Sequence, residues 1–190
     1  MKSLKLLLII LFSVSTFSLY SQEHITFKGI PLKGSINSFA QELVKKGCTI
    51  KESKGNLIIL KGEFVNETCE IILVGSKKTN TIWKVVAYLP EQTSWYSIKS
   101  DYNILKKQFQ QKYGDGESYE FFSDPYYEGD GYEMQALRLE KCTYATYFKT
   151  ETGTISLEIS KFQQISISYE DKINVELKRK ESDEIINDEI

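Results

Sequence analysis

The sequence has very few of the residues that build metal centres and histidine-dependent active sites. It contains a single histidine, His24, and three cysteines, Cys48, Cys69 and Cys142, none of which forms a CxxC motif. Structural zinc sites need four Cys or His ligands at short, regular spacings. A Ser-His or Cys-His nucleophile needs a histidine held on a defined element. The composition therefore argues against a Cys/His metal site and against a histidine-dependent hydrolase.

An excess of positive charge is also lacking. The chain has 24 basic and 26 acidic side chains, a net charge of −2. Proteins that bind nucleic acid neutralise phosphates with clustered Lys and Arg. The basic runs at 77–78 and 178–180 lie in a turn or among acids, which is typical of a solvated surface. We therefore expect no nucleic-acid partner.

Motifs of the common catalytic families are missing as well. The sequence has no GxSxG, HExxH or GxxxxGK pattern and no GxGxxG after a predicted strand. A pair of carboxylates remains available because acids are abundant, and this leaves a carboxylate-based hydrolase open as an alternative function.

Residues 1–21 have the three parts of a secretory signal peptide. Lys2 and Lys5 precede an apolar core at 6–12, and the small residue Ser21 stands at the expected cleavage site. Hydroxyl side chains interrupt the apolar stretch after the core, so it is too short to span a membrane. Cleavage would remove two of the 24 basic side chains and shift the net charge from −2 to −4. We expect an exported protein, periplasmic or extracellular, with no transmembrane segment in the mature chain.

The first half of the mature chain predicts one helix followed by four strands. Apolar residues recur at helical spacing from 36 to 44, with Ser35 as N-cap and Gly47 as the stop. The period then falls to two, which is typical of strands. The predicted strands are 48–53, 57–64, 69–75 and 82–89.

The second half repeats this order of a helix followed by strands. Apolar residues at helical spacing from 98 to 113 predict a second helix that ends at Gly114. Strand-like runs follow at 119–122, 134–141, 142–149, 154–160 and 164–170. The dense charges after Asp171 predict a short, mostly exposed C-terminal helix or tail at 172–190.

Two similar stretches suggest an internal repeat. "CEIILVGSKKTNTI" begins at Cys69 and "CTYATYFKTETGTI" begins at Cys142, 73 residues later. The predicted fold class is α+β, with two tandem repeats of one helix plus a four-stranded antiparallel sheet, packed together. The repeats span 22–92 and 93–171, and the second carries an insertion at 115–133.

The insertion is the most unusual stretch, because it interleaves acids with aromatic side chains. Tyrosines give a large contact area at low entropic cost, so the segment is a candidate partner-binding site. Packing of its aromatics on the sheet and calcium binding are the alternatives, although "DPYYEGDG" lacks the EF-hand spacing. The candidate residues are Tyr119, Phe121, Asp124, Tyr126, Tyr127, Glu128, Asp130 and Tyr132.

The three cysteines are expected to be free and buried. In a simple meander one strand separates Cys48 from Cys69, which places their Cα atoms about 10 Å apart, beyond the reach of a disulfide. Cys69 and Cys142 would lie in different repeats. Unpaired cysteines of this kind act as small apolar side chains.

The chain also resembles known proteins in two respects, its sequence blocks and its element order. The blocks "FKGIPLKGSINSFAQELVKKG", "WYSIKSDYNILKKQFQQKYG" and "ISISYEDK" resemble uncharacterised exported proteins of Gram-negative anaerobic gut bacteria. The order of helix and strands resembles the β-lactamase inhibitor protein fold, in which two such repeats present a concave sheet to a partner enzyme. The second resemblance rests on element order and carries no residues across.

Together these features predict a non-catalytic binding or interaction module of the cell envelope or periplasm, with an inhibitor-like role among its possible uses. It would act through a sheet face and the segment 115–133 on a partner that is a protein or another envelope component. No cofactor or metal is expected. The alternative is a carboxylate-based hydrolase or another enzyme without a recognisable motif.

Overall fold

A computed structural model describes residues 23–189 as an α+β protein. The predicted signal peptide, residues 1–21, lies outside the described residues. The helices of the described part are α1 (Ile36–Lys45), α2 (Trp95–Tyr113), α3 (Glu133–Arg138) and α4 (Lys172–Glu189). The strands are β1 (Thr26–Phe27), β2 (Ile30–Pro31), β3 (Thr49–Lys54), β4 (Leu57–Phe64), β5 (Glu67–Gly75), β6 (Ile82–Tyr88), β7 (Glu117–Phe122), β8 (Cys142–Lys149), β9 (Gly153–Ile159) and β10 (Ile165–Asp171).

Eight of these strands form one antiparallel sheet in the order β3-β4-β5-β6-β10-β9-β8-β7. Each group of four consecutive strands is a meander, and the two meanders join through their last strands. The junction between β6 and β10 pairs Tyr88 with Ser166 at one end and Lys84 with Glu170 at the other. The sheet is therefore continuous across both halves of the chain.

The 73-residue offset between the two similar stretches does not relate equivalent strands. Cys69 lies in β5, the third strand of the first meander, whereas Cys142 opens β8, the second strand of the other. The expectation that the two similar stretches occupy equivalent positions in an internal repeat is therefore wrong. Their likeness reflects the alternating apolar pattern and polar turn that antiparallel hairpins share.

The first helix, α1, confirms the prediction made from its periodicity. The Oγ of Ser35 accepts the backbone N–H of Ser38 at 3.2 Å, so Ser35 is the N-cap. Gly47 follows the helix with a φ of 90°, a left-handed conformation that favours glycine. The buried stripe of α1 packs against β4 and β5 and consists of Ile36, Phe39, Ala40 and Leu43.

The second helix, α2, also matches its predicted apolar positions and ends before Gly114. It packs against β8 and β9. Tyr102 is fully buried in this contact, and its hydroxyl lies 2.7 Å from Oγ1 of Thr146 on β8. The buried stripe consists of Ile98, Tyr102, Leu105 and Phe109.

The two faces of the sheet differ because side chains alternate along each strand. One face joins α1, α2 and the β1–β2 hairpin in a single hydrophobic core, and we call it the helical face. Among its members are Leu60, Ile71, Val85, Phe148, Leu157 and Ile167. We call the opposite face the outer face. Its members include Ile72, Lys84, Val86, Tyr88, Glu117, Tyr119, Phe121, Ala145, Tyr147, Ser156, Glu158, Ser166, Ser168 and Glu170.

The predicted strand at 134–141 is wrong, because residues Glu133–Arg138 form the helix α3. Its residues, EMQALR, are nearly all strong helix formers. Ala136 and Leu137 are buried, whereas Leu139 is 56% exposed. With this helix in place, the second half of the chain has four sheet strands.

The C-terminal segment forms the predicted helix and is better anchored than predicted. α4 contains 18 residues, and within it Asn174 and Glu181 are buried. The Asn174 amide donates to the backbone oxygens of Leu32 and Ile82, both at 2.7 Å. α4 therefore closes the end of the sheet between β10 and the β5–β6 turn.

Candidate functional site

The predicted insertion, residues 115–133, is only partly a loop. Residues Glu117–Phe122 form β7, an edge strand in register with β8 from Glu117–Tyr147 to Phe122–Cys142. The strand predicted at 119–122 therefore lies within β7, and these residues belong to the sheet and not to an insertion outside it. The remaining segment, 123–132, connects β7 to α3.

The candidate residues divide into exposed and structural groups. Tyr119 and Phe121 lie on the outer face of β7, with 44% and 51% of their surface exposed. Tyr127 and Tyr132, in the connecting segment, are 65% and 60% exposed. These four rings are free to contact a partner.

Tyr126 has a packing role. It is half-buried against the hydrophobic core. Its hydroxyl accepts a hydrogen bond of 3.0 Å from the side chain of Gln135 in α3. The packing alternative therefore describes this residue better than partner contact does.

Asp130 shapes the connecting segment. Its two carboxylate oxygens accept the backbone N–H groups of Tyr127 at 3.1 Å and Tyr132 at 2.7 Å. Gly129 donates its N–H to Glu133 at 2.8 Å. These bonds fix the turn that presents the two exposed tyrosines, while Asp124 remains exposed before Pro125.

Glu128 ties the segment to α2 and β8. Lys99 donates to one of its carboxylate oxygens, and the Tyr144 hydroxyl donates to the other at 3.2 Å. The hydrogen bond from Lys99 lowers the pKa of Glu128 below its usual value. Glu128 is therefore an ionised anchor of the segment.

An aromatic cluster lies beneath this anchor. Trp95 packs edge-on against Tyr144, with ring centroids 5.0 Å apart, and against Phe122 at 5.4 Å. Lys99 lies 5.6 Å from the centroid of the Tyr144 ring. Sequence reasoning missed Lys99 and Tyr144, because nothing in their local pattern shows that α2 and β8 meet here.

The central strands of the outer face carry small residues. Ser156 and Ser168 lie opposite each other on β9 and β10, and their hydroxyl oxygens are 2.8 Å apart. Both are buried, yet the apolar residues beside them, Val86 and Ala145, do not belong to the core cluster. These small residues therefore lie on the outer face and are not part of the hydrophobic core.

Charged and aromatic side chains lie beside these small residues on the outer face. Lys84 donates to Glu170 at 2.7 Å across the β6–β10 junction. Tyr147 lies beside Tyr119, with ring centroids 6.1 Å apart, and burial raises the pKa of Tyr147. The tyrosine and carboxylate groups of this face suit polar recognition better than burial in a core.

The cysteines offer no activated nucleophile. All three are buried and unpaired. Burial raises the pKa of Cys69 to about 11 and that of Cys142 to about 12, and it also raises the pKa of Cys48. Since the thiolate is the reactive form, these thiols are inert at neutral pH.

The pKa values of the carboxylates bear on the hydrolase alternative. A general acid at neutral pH needs a raised pKa. In the described part of the chain, the glutamates with a shifted pKa are Glu117, Glu128 and Glu181, and in each the pKa is lowered.

The shallow depressions of the described surface include two beside the outer face. One, of about 430 Å³, lies between the end of α3 and the outer face and is lined by Glu140, Tyr147, Glu158 and Lys161 among others. Lys161 is ion-paired with Glu140 there. The other, of about 330 Å³, lies beside the start of α4.

Residues 23–189 contain no cluster of three or more His, Cys, Asp or Glu side chains suited to holding a metal ion. Over the same range, no helix combines the length and apolarity needed to cross a bilayer. Comparisons with protein-family models, curated proteins and solved structures found no match for this chain.

Proposed function

We propose that the protein is an exported, non-catalytic binding module that recognises a protein or another component of the cell envelope. Recognition would use the outer face of the sheet together with the segment 115–133. Export is supported by the signal-peptide features of residues 1–21. When the partner is an enzyme, this binding would be inhibitor-like.

The observation that carries the proposal is the placement of exposed aromatic rings at one margin of the sheet. Tyr119 and Phe121 continue the outer face to its edge, and Tyr127 and Tyr132 stand on the adjoining segment. Asp130 and Glu128 hold that segment in place. Rigid, exposed tyrosines bind partners at low entropic cost, because little side-chain freedom is lost on binding.

The alternative, a carboxylate-based hydrolase, has weaker support. The shifted glutamates have lowered pKa values, and the thiols have raised ones. The depression that contains Glu140 and Glu158 also holds Lys161, which neutralises Glu140. These properties favour recognition over acid-base chemistry.

We further propose that the two meanders descend from one repeated unit. Each is preceded by a helix, α1 before β3–β6 and α2 before β7–β10, and both helices pack on the helical face. Such a doubling would give the outer face its width. The proposal rests on element order, since the 73-residue offset does not relate equivalent strands.

The test is capture from an envelope extract of the native cell with protein purified after expression of the full chain. The wild type is compared with a double variant, Tyr127→Ser and Tyr132→Ser. The matched control carries Tyr96→Ser and Phe162→Ser, which remove rings that are 83% and 62% exposed elsewhere.

A captured component should rebind the purified wild type and the control equally, and the tyrosine double variant at least tenfold more weakly. Hydrogen exchange on the complex should show protection on the outer face. Equal binding by all three proteins would show that the segment is not the contact, and the binding proposal would then lose its main support.

A further inference from the structure

The two edges of the eight-stranded sheet are protected to different degrees. β3 has a register shift between Ile50 and Glu52, and it carries Lys51 and Lys54. Bulges and edge lysines keep a strand from pairing with another chain. β7 has unbroken register with β8 and contains neither lysine nor proline. It is therefore the less protected of the two edges.

The backbone groups that β7 offers follow from its register. Ser123 donates its N–H to the carbonyl of Lys141 at 2.8 Å, one step beyond the last paired residues of β7 and β8. In an antiparallel ladder, bonded residues alternate. The odd-numbered residues of β7 therefore bond to β8. The N–H and C=O groups of Ser118, Glu120 and Phe122 point away from the sheet.

We propose that β7 pairs with β7 of a second copy of this chain, antiparallel, across a twofold axis at Glu120. In this register Ser118 of each copy bonds to Phe122 of the other, and Glu120 bonds to its own counterpart. Every outward N–H and C=O group of β7 then finds a partner. The two eight-stranded sheets become one.

The side chains of β7 are self-complementary in this register. Tyr119 of each copy lies opposite Phe121 of the other on the outer face, where both rings are about half exposed in the single chain. Cross-strand aromatic pairs stabilise sheets. If the register is shifted by two residues, only one aromatic pair remains across the two strands. Some outward N–H and C=O groups of each β7 then have no partner on the other β7.

The like charges of the two Glu120 side chains at the axis are compensated. The two Glu120 side chains face each other on the helical face, which alone would be repulsive. Each has its own counter-ion, because Lys106 of α2 donates to Glu120 at 2.6 Å. The axis therefore holds two ion pairs, and a second copy fits this edge without a bare like-charge contact.

The test is a charge exchange at the aromatic pair, measured by sedimentation equilibrium over a range of protein concentrations. One variant carries Tyr119→Lys and Phe121→Lys, and the other carries Tyr119→Glu and Phe121→Glu. Each places like charges opposite one another in the dimer. Mixing the two variants places lysine opposite glutamate. The control, Tyr96→Lys with Phe162→Lys, changes exposed rings away from β7.

The wild type and the control should rise to twice the monomer mass as concentration increases. Each β7 variant alone should remain monomeric, and their equimolar mixture should regain the doubled mass, more weakly in high salt. Thermal unfolding should show that all variants fold, since the replaced rings are exposed.

Three results would overturn the proposal. These are a wild type that stays monomeric, β7 variants that associate alone as the wild type does, and a mixture that fails to associate. A monomeric wild type would leave β7 as an edge for an extended segment of another protein. The capture experiment above changes Tyr127 and Tyr132 instead, so either proposal can fail without the other.

Discussion

Glu181 in α4 accepts a hydrogen bond of 3.0 Å from the hydroxyl of Ser76, which follows β5. The same carboxylate accepts the hydroxyl of Thr79 at 2.6 Å and the backbone N–H of Lys78 at 2.8 Å. This buried acid therefore fastens the last helix to the turn between β5 and β6.

Replacing Glu181 with alanine should lower the free energy of unfolding by about 2 kcal/mol, because it leaves buried donors without an acceptor. Urea unfolding measures this change. Glu184→Ala is the control, since that side chain is 64% exposed and its ion pair with Lys78 is at the surface. The control should change stability by less than about 0.5 kcal/mol. Equal losses would mean that Glu181 contributes no more than a surface charge.

Stability should depend on pH through the same residue. Burial alone would raise the pKa of Glu181, but hydrogen bonds from Thr79, Lys78 and Ser76 lower it below its ordinary value of 4.5. A carboxyl with a lowered folded pKa stabilises the fold above pH 4.5, and that stabilisation is lost as pH falls through the folded pKa. The difference in unfolding free energy between wild type and Glu181→Gln should therefore be constant above pH 6 and shrink towards pH 3. A constant difference throughout would contradict the shift.

Gly62 is predicted to be intolerant of alanine because of Cys48. A Cβ at Gly62 would lie 2.4 Å from Sγ of Cys48, closer than packed atoms approach. Gly62→Ala should cost about 1–3 kcal/mol, the usual range for overpacking. In a Cys48→Ala background the same change should cost less, because the nearest clashing atom is gone. A double-mutant cycle from thermal unfolding measures this, and purely additive effects would refute the contact.

The three thiols should be free but protected. Titration of the unfolded, non-reduced protein should find all three cysteines reactive, as the unpaired thiols indicate. In the native state at pH 8, Cys142 should react with iodoacetamide at least tenfold more slowly than a free thiol, because burial raises its pKa to about 12. Only one reactive group after unfolding would reveal a disulfide.

The local elements of the fold were predictable because their periodicity is strong. The apolar stripe from Ile36 to Leu43 and the alternation from Ile165 to Tyr169 each match one template and appear as α1 and β10. The sequence predicts a strand in the stretch from Met134 to Leu139, whereas the structure has a helix. So short an apolar run fits both the helix period and the strand period, and helix propensity decides between them.

Long-range features were not predictable from the same signals. Nothing near Tyr88 or Ser166 indicates that β6 and β10 pair, since strand order depends on contacts between distant parts of the chain. Glu181 and Asn174 look like solvated residues of a charged tail, yet partners far along the sequence bury them. At the candidate site, the sequence named the tyrosines but did not separate the exposed Tyr127 and Tyr132 from the half-buried Tyr126. The anchor formed by Lys99, Glu128 and Tyr144 was not predicted, because it requires three elements to converge.

The β6–β10 junction sets a constraint on the order of events during synthesis. β6 is complete by Tyr88, but its partner β10 begins only at Ile165, near the end of the chain. Until then the apolar strand IWKVVAY is an open edge in the growing polypeptide. Such an edge invites pairing with other nascent chains. The last strand along the chain is therefore also the one that covers this edge, so the edge stays open until β10 is available.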